Sequence, residues 1–89
     1  MPDLHITEHA RWQLARRGIA VELLEAALSD PDQRLAGARG RTIYHLIYTS
    51  FDAGHEMLLR VITERSDDTL VVVTVYSTSR IDRYWRREG

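Results

Sequence analysis

Apolar residues recur at helical spacing in the first third of the chain and at alternate positions after it. Thr7 is a good helix N-cap, and Glu8 stands in the first turn, where the helix dipole favours an anion. A helix is therefore predicted to about Arg17, with Gly18 as its stop. Its apolar stripe is thin: Ala10 and Leu14, helped by Ala15 and part of Trp12. Val21, Leu24, Ala27 and Leu28 then share one face of a second helix that ends at Asp30-Pro31. Ahead of both, residues 4–6 read as a short first strand.

From residue 33 the period changes to that of strands. Segments 33–36, 42–51, 56–64 and 69–78 read as strands, the last three rich in β-branched and aromatic residues. Segments 37–40, 52–54 and 66–68 are turns at hairpin spacing. Helices first and strands afterwards predict an α+β fold. Two N-terminal helices pack on one face of an antiparallel four-stranded meander, with the short first strand as an addition, in a single domain spanning 1–89.

Strand alternation then assigns the faces. Met57, Leu59 and Val61 share one side, leaving Leu58, Arg60 and Ile62 on the other. In the last strand Val71, Val73 and Val75 are expected as the core row, with Val72, Thr74, Tyr76 and Thr78 opposite. If those two strands pair, Arg60 and Tyr76 lie on the face that the helices leave uncovered.

Composition narrows the classes of function. A chain of 89 residues supports one modest core and little room for a deep pocket. No run approaches a membrane span, and the start MPDLHITEH lacks the basic-then-apolar layout of a signal peptide. There are no cysteines, which fits a reducing compartment, so the expected location is the cytoplasm. Twelve basic residues against thirteen acidic ones leave no overall field to draw the protein onto nucleic acid. Yet every basic residue is arginine, so cationic chemistry here must use guanidinium, which forks two donors onto a phosphate and keeps its charge.

The two ends of the chain carry the chemical candidates, ITEHARWQLARRGI at 6–19 and VVVTVYSTSRIDRYW at 71–85. Their motifs are Thr7, His9, Ala10, Leu14, Arg17, Gly18 and Ile19, then Thr74, Val75, Tyr76, Thr78, Ser79, Arg80, Ile81, Tyr84 and Trp85. In these the sequence resembles the domain-of-unknown-function 4258 family, over nearly the whole chain. The helix–helix–meander order also resembles the RelE/ParE toxin superfamily, including BrnT-like toxins. The wider resemblance implies a metal-independent RNA endonuclease acting on messenger RNA, on the ribosome or free of it. It also implies neutralisation by an antitoxin partner. A ParE-like branch would instead inhibit gyrase. Such toxins are usually basic and this chain is not, so a non-catalytic protein-binding module of the same fold is the alternative.

Cleavage by the 2′-hydroxyl needs a base for that proton, a cation for the phosphorane and an acid for the leaving oxygen. His9, Arg60 and Tyr76 are the catalytic candidates, with His5 and His45 as further histidines able to move a proton. Arg17, His45, Arg80 and Arg83 are the expected RNA contacts. Each has a plainer reading. His9 serves equally as a first-turn residue bonded to a strand, and Arg60 with Tyr76 as the polar side of a half-exposed sheet. Ile81, Tyr84 and Trp85, at i, i+3, i+4, fasten the tail to the sheet, so residues 80–87 are expected to be ordered with Trp85 buried. No metal site is expected, because the Thr7 cap leaves His5 outside the helix and no third ligand is suitably spaced. No cofactor is implied, since the chain has neither a glycine-rich phosphate loop nor a nucleophile elbow.

Overall fold

In a computed structural model that describes residues 3–50 and 54–85, Thr7 caps the first helix as its position predicts. Its side-chain oxygen accepts the Ala10 N–H at 3.1 Å, and the helix α1 runs over Glu8–Arg17. Gly18 ends it in the left-handed region at φ 64, a conformation that costs glycine nothing, and lets Ile19 N–H reach back to the Leu14 carbonyl at 2.9 Å. The second helix, α2, covers Val21–Ser29 and stops at Asp30, because Pro31 has no N–H with which to continue it.

The strands are β1 (Asp3–Ile6), β2 (Gln33–Ala36), β3 (Thr42–Thr49), β4 (Glu56–Ser66) and β5 (Thr69–Thr78). A one-turn helix, α3 (Ile81–Tyr84), follows. The expected strand end at Phe51 and most of the 52–54 turn lie outside the described residues. The sheet order is β1-β5-β4-β3-β2. The meander from β2 to β5 is antiparallel throughout, but the sheet is mixed and five-stranded, not a four-stranded meander. The fifth strand is β1, which lies parallel to β5 with Ile6 opposite Val72. It pairs with backbone groups that β5 would otherwise present as an open edge. The chain then turns into α1, which packs back over β5.

Both helices sit on one face of this sheet. Ala10 and Leu14 of α1 join Leu24 and Ala27 of α2, Leu59 and Val61 of β4, and Val72 and Val75 of β5 in a single buried cluster. The expected valine row is thus corrected, since Val72 is in the core while Val71 and Val73 are only half-buried. The cause is a bulge in β5. Ile62 faces Thr74 but Thr63 faces Val72, so Val73 has no partner and the alternation slips by one. Side chains from α1 and from its N-cap meet the irregular stretch. Gln13 Oε1 accepts the Val75 N–H at 2.9 Å, and the Thr7 hydroxyl donates to the Val73 carbonyl at 3.4 Å.

Candidate functional site

Beyond the bulge the strand phase is restored, and the opposite face of the sheet carries one polar row. Registers place Gln33 opposite His45, His45 opposite Arg60, and Arg60 opposite Tyr76, so four adjacent strands each contribute one residue. The Arg60 Nε–H donates to His45 Nε2 at 3.0 Å, and Arg60 Nη1 donates to the Tyr76 hydroxyl oxygen. Guanidinium has only donors, so His45 Nε2 must be the acceptor and the imidazole proton sits on Nδ1. That nitrogen lies 3.1 Å from Gln33 Oε1, an acceptor suited to hold this tautomer.

Electrostatics follows from the same contacts. His45 is fully buried, and burial, then the Arg60 charge, hold its pKa down at about 4, so the ring is neutral at physiological pH. Burial also raises the Tyr76 pKa; neighbouring Tyr84 adds to the rise and Arg60 opposes it. Tyr76 therefore keeps its proton. Among the described residues no carboxylate comes within ion-pair distance of Arg60. Its partners are neutral, so the guanidinium retains its whole charge, with N–H groups left over after these two bonds.

The row is roofed by the chain's own tail. The Arg60 guanidinium lies 4.3 Å from the Tyr84 ring centre, and Tyr84 meets Tyr76 edge-on at 6.1 Å. Trp85 stacks on His45 at 6.0 Å with 25° between the planes. The tail is thus laid on the sheet as expected through residue 85, but Trp85 is half-buried, not buried. Arg86 and Arg87 lie outside the described residues. Next to this roof, Ile47, Glu56, Arg80 and Arg83 line an open groove of about 600 Å³.

The sequence candidates divide accordingly. Arg60, Tyr76 and His45 are brought together, and Arg80 and Arg83 are exposed on the adjoining groove. His9 is not with them. It is exposed on α1, on the far side of the sheet, where it stacks on Trp12 at 6.1 Å while the Arg16 guanidinium lies 5.1 Å from the same indole. Arg17 is also exposed on α1, and His5 is exposed on β1. The proposed His9–Arg60–Tyr76 trio is therefore corrected, because α1 buries Ala10 and Leu14 against the helix-covered face and the sheet separates the two sides. Gln33 had been missed: it stands in a four-residue edge strand with little pattern to show its phase. Among the described residues no three histidine or acidic side chains gather closely enough to hold a metal ion, and no helix is long and apolar enough to cross a membrane.

Comparison with known proteins places residues 6–77 within a domain of unknown function, DUF4258. That match takes in both long helices, β2 to β4 and β5 up to Ser77, but only Ile6 of β1. No curated protein and no solved structure matches the chain.

Proposed function

We propose, for a chain that belongs to the DUF4258 family, a metal-independent endoribonuclease of the RelE-superfamily type, paired in the cell with an antitoxin protein. The observation that carries this reading is the His45–Arg60–Tyr76 row: a guanidinium without a carboxylate partner among the described residues, between a neutral imidazole and a protonated phenol. Those three groups match the three demands of transesterification. Arg60 binds the non-bridging oxygens and carries the charge that develops on phosphorus. Engaging the phosphate draws its Nε–H away from His45, whose freed Nε2 takes the 2′-hydroxyl proton. The 2′-oxygen then bonds to phosphorus, the bond to the 5′-oxygen breaks, and Tyr76 protonates that leaving oxygen. The products are a 2′,3′-cyclic phosphate and a 5′-hydroxyl, and proton exchange with water resets both side chains. Arg80 and Arg83 flank the path that the strand would take along the groove.

A non-catalytic binding module is the second reading. It is favoured by the Arg60 bond that occupies the only imidazole lone pair, and by the rings over the row. The test is induction of the chain without a partner, followed by assays of growth, RNA integrity and supercoiling, with the purified protein assayed on end-labelled RNA. Cyclic-phosphate ends that disappear in folded Arg60→Ala and Tyr76→Phe proteins support the nuclease. RNA that is bound but intact selects the binding module. Intact RNA with lost DNA supercoiling selects gyrase inhibition.

A further inference from the structure

We infer that Tyr84 and Trp85 form a lid that competes with single-stranded RNA for the Arg60 row, so that the closed chain is self-inhibited and RNA binding opens it. This rests on reading the row as a phosphate-handling site. The geometry that supports the lid is that two consecutive side chains cover His45, Arg60 and Tyr76, the three members of the row given chemical roles. Tyr84 lies over Arg60 at 4.3 Å and against Tyr76 at 6.1 Å, and Trp85 lies over His45 at 6.0 Å. His45 is fully buried with the indole stacked on it, so a strand that reaches its Nε2 must displace Trp85, and with it the neighbouring Tyr84. The indole occupies the stacking surface of the imidazole.

The lid is also built to release. Its support, α3, is one turn long, has no side-chain N-cap, and is tied by short-range backbone bonds alone, Arg83 N–H to the Arg80 carbonyl at 3.2 Å and Trp85 N–H to the Ile81 carbonyl at 2.8 Å. A single turn has no stability of its own, so the rings' contacts with the row decide where it lies. No described carboxylate ties Arg83 or Arg80 down, and both sit beside the groove. When a strand enters, they exchange solvent for phosphate as Tyr84 leaves Arg60.

The experiment measures binding apart from cleavage, using a short single-stranded RNA with 2′-O-methyl groups throughout, which cannot undergo transesterification. With the full chain and its Tyr84→Ala/Trp85→Ala variant, the variant should bind about tenfold more tightly, as expected if removing a competitor restores the competent fraction. Arg60→Ala should abolish binding in both backgrounds. Unchanged or weaker binding by the variant overturns the lid, weaker binding meaning that the rings are part of the RNA surface. Should the double variant fail to fold, the Trp12→Phe chain leaves Trp85 as the sole tryptophan for acrylamide quenching. Saturating RNA should then raise the quenching of Trp85, and equal or lower quenching overturns the lid. Unmethylated RNA separates the two readings: tighter binding without any cleavage upholds the lid and removes the nuclease.

Discussion

At the scale of single residues, the polar row is a chain of donors and acceptors whose order leaves little freedom. Arg60 must present its Nε–H to His45 and an Nη–H to Tyr76 at once, a fork that lysine does not have. Arg60→Lys is expected to keep the fold and lose about a hundredfold in RNA cleavage, the scale on which losing a transition-state donor is felt. A lysine protein as active as the parent would show that charge alone suffices. His45 gives the pH prediction. Its pKa is about 4 in the folded chain and about 6.5 when unfolded. Between those values the unfolded chain binds the proton and the folded one does not, so acid favours unfolding. The contribution is complete above about pH 6.5 and is lost toward pH 4, on the order of 3 kcal/mol. His45→Gln keeps an acceptor for Arg60 without titrating. Urea unfolding at pH 7 and pH 4.5 should therefore show a smaller acid loss for the variant, and equal losses would rule out His45 as the source. Arg60 beside Tyr76 was legible in the sequence because period-two alternation puts both on one face once the strands pair. His9 misled because a histidine beside a good N-cap carries no sign of which side of the sheet its helix will cover.

At the scale of elements, the pattern located α1, α2 and the four meander strands because capping residues and turn chemistry mark their ends locally. Thr7, Gly18 and Pro31 each act within a few residues. The β5 bulge had no such marker. Four consecutive positions, Leu70 to Val73, are apolar, so the hydrophobic pattern cannot show where the phase slips. What fixes it is tertiary, namely Gln13 reaching 62 residues along the chain to accept the Val75 N–H. This contact can be tested. Gln13→Leu removes the acceptor and leaves a buried backbone donor unpaired, at a cost of about 1–3 kcal/mol. Denaturant unfolding should show a lower midpoint with the slope unchanged. A Gln13→Leu protein as stable as the parent would mean that the Val75 N–H finds another partner. The parallel β1 was harder to read than the meander for a related reason. Four residues without a hairpin turn carry no local signal of orientation, and parallel pairing follows only from where α1 must pack.

At the scale of the whole molecule, the chain has a formal net charge of −1, so any affinity for RNA must come from the local arrangement of arginines. Arg60 has no described carboxylate partner, and Arg80 and Arg83 are exposed on the adjoining groove, whereas Arg41 is drawn to Glu64 at 3.8 Å on the sheet. Arg16 and Arg17 are on the helix-covered side, so they face away from a strand bound on the polar row. Three phosphate contacts are therefore expected, and counterion release from a single strand then sets the slope of log K against log salt near −2. The measurement is the affinity of the methylated RNA from about 50 to 200 mM salt, in the Tyr84→Ala/Trp85→Ala chain so that lid closure does not contribute. Arg83→Ala should flatten the slope by about 0.7, the share of one phosphate. A slope several times steeper would place the RNA across a wider basic surface that includes α1. A slope near zero would remove phosphate contact altogether and, with it, the reason for an uncompensated guanidinium at the centre of the sheet.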